Sequence, residues 1–313
     1  MNRLGVLLMT YGSPADVDDM SRYLAAVRGG REPAPELLNE FRRRYALIGG
    51  SPLIAITRAQ GQALEQRLLA QGIEARVEIG MRFSEPTIGT GLRRLADDDC
   101  ESVIGIVMSP QHSELLMGGY QRALAAACAE LGEAAPDARL APAWYRNTHF
   151  LDAVALRVRE GLERLPADEW ERAPVLLTAH SLPRRVADQE PDYLAQLRET
   201  AEAVAGRAGL LSDRWHFCWQ SAGHEPGEWM KPDFADLLPK LRAAGHHSVL
   251  VAPIQFLADH LEVLYDIDIG AREQAHAEGM AFARIESLNT MPAFIDALAL
   301  IAVTHEAQIV VAS

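Results

Sequence analysis

Short, nearly continuous apolar runs alternate along the chain with longer stretches in which apolar residues recur every three or four positions. Leu4 to Met9, Ala75 to Met81, Ser102 to Met108 and Ala138 to Ala143 are the runs of the first half; Pro174 to Thr178, Trp215 to Cys218, Ser248 to Ala252 and Phe282 to Glu286 are those of the second. An apolar run without polar alternation is a strand covered on both faces, and covered strands separated by helices build a parallel sheet. Two sets of four predict two similar doubly wound α/β domains, over residues 1–145 and 146–289, facing one another across a cleft. A last amphipathic stretch begins at Pro292, carries Phe294, Ile295, Leu298 and Ile301 at helical spacing, and runs to about Glu306. It predicts a helix within about 290–313 that packs back on the first domain.

Ligands of open parallel sheets sit beyond the carboxyl ends of the strands. The polar residues of note fall there: Thr10 to Pro14, Ser109 to Ser113, Ala179 to Pro183, and Pro253 to Glu262. No GxGxxG or GxxxxGK[ST] follows any strand, which argues against a nucleotide cofactor. His180 and Ser181 are neighbours, but without a GxSxG elbow they make a poor case for a serine hydrolase.

Composition narrows the classes further. The 313 residues are 49% hydrophobic and 23% charged, enough for one large or two packed cores. Forty-three acidic against thirty basic residues leave a net charge of -13, the wrong sign for nucleic acid. Only Lys231 and Lys240 are lysines, so arginine is the main anion-binding side chain. Cys100, Cys128 and Cys218 show no CxxC spacing, so neither a disulfide framework nor a zinc or iron-sulfur cassette is expected. The apolar start, Leu4 to Met9, meets Tyr11-Gly12-Ser13-Pro14 too soon for a signal peptide, and no run approaches the ~20 apolar residues of a membrane helix. A cytoplasmic protein without membrane insertion is the expectation.

The segment Asp259 to Asp268 is the richest in chemistry. Taken as a helix, it sets Asp259, Glu262 and Asp266 on one face, and three carboxylates in a stripe repel unless solvated, protonated or met by a cation. An imidazole such as His180 would add a nitrogen ligand suited to Fe²⁺. The plainer readings stand beside this one. A charged stripe is ordinarily a solvated face, a strand-end histidine ordinarily a hydrogen-bonded structural residue, and Tyr11 ordinarily a core aromatic with its hydroxyl in water.

Tyr11-Gly12-Ser13-Pro14, Tyr45 to Pro52 (YALIGGSP), Thr178 to Pro183 (TAHSLP), Trp219-Gln220-Ser221 and Phe256 to Asp266 (FLADHLEVLYD) resemble the ferrochelatase family, in the family's order and across nearly the whole chain. The resemblance implies two Rossmann-like domains clasping a porphyrin. His180 and Glu262 would face the metal-insertion side as catalytic groups and iron contacts, with Asp266 as an outer carboxylate. The Tyr-Gly-[ST]-Pro form resembles the coproporphyrin III enzymes of the Gram-positive type, in which Tyr11 would sit on the opposite face and ligate the product iron. The same match makes Arg28, Arg31, Arg44, Tyr45, Ser51, Tyr120 and Tyr11 itself the expected holders of propionates and macrocycle edges.

Iron is then a substrate, no tightly bound cofactor or iron-sulfur cluster is expected, and the partners are porphyrin and ferrous iron, with transient contact to neighbouring haem-pathway enzymes. A monomer is expected. The sequence departs from the family pattern where Gly270 replaces a glutamate of an outer divalent-metal site, with Glu273 three residues on, and where His112 stands in an aromatic's place. His112 is read as a substitution packed at the pocket rim, with a second polar contact to substrate as the alternative, and Phe83 is assigned to packing. The competing readings are a protoporphyrin IX ferrochelatase, a sirohydrochlorin cobalt or nickel chelatase, and a non-catalytic haem carrier.

Overall fold

Each of the eight apolar runs is a β-strand: β1 (Leu4–Thr10), β2 (Ala75–Met81), β3 (Ser102–Val107), β4 (Asp137–Leu140), β5 (Val175–His180), β6 (Trp215–Gln220), β7 (Ser248–Pro253) and β8 (Ala281–Arg284). The computed structural model describes residues 3–223 and 227–310, the side chains of 305–310 excepted; residues 311–313 of the expected C-terminal element lie outside it. The helices are α1 (Met20–Val27), α2 (Pro35–Leu47), α3 (Leu53–Ala70), α4 (Ile88–Asp97), α5 (Glu114–Leu131), α6 (Thr148–Leu162), α7 (Arg184–Ala187), α8 (Pro191–Ala208), α9 (Phe234–Ala243), α10 (Leu261–Leu264), α11 (Arg272–Ala277) and α12 (Pro292–Val310). A π-helical turn, Asp266–Ala271, joins α10 to α11.

The chain divides into two compact units, one holding the residues through Trp144 together with those from Asn289 onward, the other Tyr145–Leu288. In the first, the sheet order is β2-β1-β3-β4, all parallel, with Leu4 of the central β1 opposite both Ala75 and Ser102. In the second, the order β6-β5-β7-β8 repeats that arrangement, with Val175 opposite Trp215 and Leu250.

Coverage on both faces explains the unbroken apolar runs. All of β1 is buried: Leu7 and Met9 meet Ile88, Leu92, Tyr120 and Leu124 of α4 and α5, and Val6 and Leu8 are wholly buried on the alternate face. In the second unit, Leu176, Val249 and Val251 pack against Phe234, Leu238, Ile267 and Ala271. Helix α12 packs on α3 and β3; Phe294 lies 6.4 Å from the Trp144 ring, and the Gln60 amide donates to Asn289 O at 2.8 Å.

Strand β4 stops at Leu140, short of the expected Ala143. Ala141 N–H still reaches Gly105 O at 2.8 Å, but Pro142 has no N–H to continue the ladder. Strands β5 and β6 run two residues further than apolar character predicts, because their ends carry the polar residues His180 and Gln220.

Candidate active site

In the second unit, the ends of β5, β6 and β7 gather polar groups. His180 is the half-buried last residue of β5. Its N–H donates to Gln255 Oε1 at 2.9 Å, and the Gln255 amide donates in turn to the Tyr193 hydroxyl. Tyr193 is fully buried, and burial raises its phenol above the ordinary value. His180 Nδ1 lies 2.6 Å from Ser181 O, an acceptor only, so Nδ1 carries a proton and Nε2 is the nitrogen left to accept in the neutral ring. The Phe256 ring stands edge-on to His180 at 6.4 Å and to His260 at 4.5 Å.

His260 Nδ1 faces Ala258 O at 2.8 Å, and its Nε2 meets Glu262 Oε2 at 3.1 Å. Gln220 reaches the Glu262 carbonyl at 3.4 Å with its amide and accepts from the Thr178 hydroxyl. His180, Phe256, His260 and Glu262 thus form a continuous set. A regular helix over this segment would turn His260 away from the face of Asp259, Glu262 and Asp266; its extended backbone ahead of a short helix brings it onto Glu262.

The expected stripe of three carboxylates is not there. His260 is extended (φ -160°, ψ -174°), α10 is one turn long, and Asp259 lies before it. Asp259 accepts from Ser287 Oγ at 2.7 Å and Arg284 Nη1 at 3.3 Å, so its charge is met by protein groups. Asp266 opens the π turn, in which Gly270 N–H reaches back five residues to Tyr265 O at 2.9 Å. The wider turn breaks the spacing that a regular helix would keep. Among the described residues, no group of three or more His, Cys, Asp or Glu forms a ready metal site.

In the first unit, Tyr11 follows β1 and is 43% exposed, so it is not the core aromatic of the plainer reading. Its ring meets Phe83 edge-on at 4.6 Å, and the Arg82 guanidinium lies 5.9, 4.6 and 5.2 Å from the Tyr11, Phe83 and Tyr120 rings. Arg82 lies flat over Gly119 of α5, where a Cβ would come within 2.2 Å of Nη2. Gly12 is equally constrained: φ is +96°, and a Cβ would stand 2.1 Å from Ser84 Oγ. Ser84 Oγ accepts from Ser13 N–H at 3.0 Å, and the Tyr23 hydroxyl donates to Gly12 O at 3.1 Å. Tyr11-Gly12-Ser13-Pro14 is therefore a fixed turn that presents one ring.

The other expected substrate contacts divide. Arg28 and Arg31 are exposed at the end of α1, with Arg31 Nε on Arg28 O at 3.2 Å. Ser51 is half-buried and accepts from Leu53 N–H at 3.4 Å. Arg44, expected to hold a propionate, pairs with Glu40 at 2.8 Å, one turn back on α2. The Arg43 and Arg44 guanidiniums hold the Glu40 carboxyl down at about 2. Tyr45 and Tyr120 are each only 6% exposed, and burial raises the Tyr120 phenol. Their helices turn both rings toward the interior of the unit.

His112 is exposed, faces Glu114 at 3.4 Å, and rims a cavity of about 490 Å³ lined also by Ser109, Met117, Cys128, Leu140 and Trp144. The buried Cys100 thiol is pushed up to about 11 by desolvation. Among the described residues, no helix is long and apolar enough to cross a membrane.

Against solved structures, the chain resembles SirB from Bacillus subtilis with Fe³⁺ at TM-score 0.57 and 12% identity, covering 98% of each chain. The sirohydrochlorin chelatase SirB in complex with cobalt scores 0.55 at 11% identity, over 96% of this chain and 94% of that one. At such identities the likeness is one of fold. Sequence relatives are nearer: a ferrochelatase of Deinococcus radiodurans is 40% identical over 297 residues, 95% of this chain and 94% of its own. A coproporphyrin III ferrochelatase of Geobacillus kaustophilus is 38% identical over 301 residues, 94% of this chain and 93% of its own. With the ferrochelatase family profile matching residues 3–306 and a chelatase fold beneath it, this chain belongs to the ferrochelatase family.

Proposed function

We propose that the protein inserts Fe²⁺ into coproporphyrin III and releases the iron porphyrin. The observation that carries this reading is the His260–Glu262 pair, 3.1 Å apart and linked through the Phe256 ring to His180. Insertion needs an acceptor for two pyrrole N–H protons and negative charge to draw the cation out of its water. His180 takes the first role: with Nδ1 donating to Ser181 O, Nε2 is the nitrogen that accepts a proton in the neutral ring. With Nδ1 of His260 spent on Ala258 O, the hydrogen bond to Glu262 needs one proton between the partners, so the pair can hold a proton from the ring and pass it on. Asp266 is the next carboxylate outward.

The coproporphyrin assignment draws on the relatives of that name and on the first unit's exposed groups. Arg28 and Arg31 suit carboxylates, which guanidinium binds with paired hydrogen bonds, and coproporphyrin carries four propionates where protoporphyrin carries two. Binding at those remote groups offsets the cost of bending the ring toward the metal. Tyr11 would ligate the iron of the product. The protein works in the cytoplasm as a monomer and needs no resident cofactor, so it should be colourless before porphyrin is added.

The test is anaerobic Fe²⁺ insertion followed by the Soret and Q bands, with coproporphyrin III and protoporphyrin IX in parallel. Faster metallation of coproporphyrin is the expected result. Faster metallation of protoporphyrin overturns the substrate assignment, and turnover of neither overturns the activity.

A further inference from the structure

The short segment that carries His260, Glu262 and Asp266 has little to hold its own shape. Helix α10 is four residues long, too short to persist by its own hydrogen bonds, and no side chain caps its start. Its two flanks, however, end on one guanidinium. Arg284, the last residue of β8, has a side chain only 13% exposed. Its Nε and Nη2 grip the Asp268 carboxylate at 2.8 and 2.9 Å. Its Nη1 reaches Asp259 Oδ1 at 3.3 Å, Ile285 O at 2.9 Å and Ser287 Oγ at 3.4 Å, while Ser287 Oγ donates to the same Asp259 oxygen at 2.7 Å. Asp259 directly precedes His260, and Asp268 sits two residues beyond Asp266 in the π turn.

We propose that Arg284 is a positioning residue for metal insertion: by holding Asp259 and Asp268 together it closes the segment between them into one loop and fixes where His260 and Glu262 stand. The proposal rests on the role given above to those two residues. Geometry favours arginine here, since a planar fork serves two carboxylates at once where a lysine ammonium, a point charge, serves one well. The same contacts keep Asp259 and Asp268 engaged with protein. Arg272, 3.8 Å from Asp268 and half exposed, is a looser neighbour and provides a control.

Steady-state Fe²⁺ insertion by Arg284→Gln, Arg284→Lys, Asp268→Asn, Arg272→Gln and the Arg284→Gln/Asp268→Asn double variant tests this. Arg284→Gln should lower kcat roughly 10–100-fold, as loss of a group that orients metal contacts does, with the porphyrin KM within about twofold. Asp268→Asn should fall in the same range, and the double variant no lower than the worse single, because both changes undo one arrangement. Arg284→Lys should recover part of the loss, and Arg272→Gln should stay within about twofold of the unsubstituted protein.

Retention of kcat by both Arg284→Gln and Asp268→Asn, or losses that multiply in the double variant, would overturn the proposal. Should Arg284→Gln fail to fold, Asp268→Asn and Asp259→Asn carry the same comparison. A readout independent of turnover separates this proposal from the assigned activity. The ring C–H resonances of His260, assigned by their loss in His260→Gln, should shift in Arg284→Gln even if the protein inserts no iron, and unshifted resonances would sink the idea.

Discussion

The two units share a strand order yet present opposite kinds of chemistry at corresponding places. The central strand of each sheet ends in a ring-bearing residue: Tyr11 just past β1, His180 at the tip of β5. Tyr11 is held by packing, against Phe83 and beneath a guanidinium that also covers Tyr120. His180 is held by hydrogen bonds, through its backbone N–H to Gln255 and through Nδ1 to Ser181 O. The difference teaches that one scaffold can fix a strand-end ring either by packing or by hydrogen bonds, according to the few residues beyond the strand end, and under the proposed function the hydrogen-bonded ring is the one that handles protons.

Substitution at the two rings should separate these roles most sharply. His180→Ala should lower the rate of iron insertion by ~10²–10⁴-fold, the range for a lost proton acceptor. Tyr11→Phe, which keeps the ring contacts, should leave insertion within about tenfold while removing the tyrosinate-to-iron absorption of the ferric product complex. Equal losses from both, read by stopped-flow absorbance, would break the distinction.

A smaller effect is expected from disturbing the support of one ring. Gly12→Ala adds a Cβ 2.1 Å from Ser84 Oγ at φ +96° and should cost ~1–3 kcal/mol of stability. Urea unfolding monitored by circular dichroism measures it; an unchanged midpoint would show that the turn relaxes freely.

Smallest is the contribution of Glu40, whose carboxyl Arg43 and Arg44 hold near 2 against 4.5 unperturbed. A depressed carboxyl stabilises the fold above its unfolded value and loses that contribution as pH falls toward its folded one. Glu40→Gln should therefore lower stability at pH 7 by only ~0.5 kcal/mol, as befits a partly exposed pair on a helix. Melting curves should show the gap at pH 7 and its closure between about pH 4.5 and pH 2. A gap that widens in acid would contradict the assignment.

What the sequence made legible follows the range of the forces involved. The inner strands β1, β3, β5 and β7 are visible as apolar runs because they are buried along nearly their whole length, so local composition and tertiary burial agree; the edge strands β2, β4, β6 and β8 are only partly buried and read less cleanly. His180 and Glu262 are visible through their motifs. The stripe of Asp259, Glu262 and Asp266 is misread because helical spacing assumes a regular helix, and the chain instead places an extended His260 before one turn and a π turn after it. The partners that draw Asp259 and Asp268 aside, Ser287 and Arg284, lie 28 and 16 residues away, beyond the reach of any local pattern. Arg44 marks the opposite limit: its partner Glu40 is one turn back, within reach of a local pattern, while a family motif speaks of substrate contacts and not of helix neighbours.

The return of α12 to the first unit bears on the order in which the protein is made. Strand β1 is synthesised before the other strands described, but the sheet it centres lacks one of its covering helices, α12, until residues 292–310 follow. The second unit, Tyr145–Leu288, is one uninterrupted stretch and is complete before that helix is synthesised. Vectorial synthesis therefore favours closing the later-encoded unit first, leaving the earlier one an unfinished nascent domain, and chaperone demand should concentrate on that waiting half.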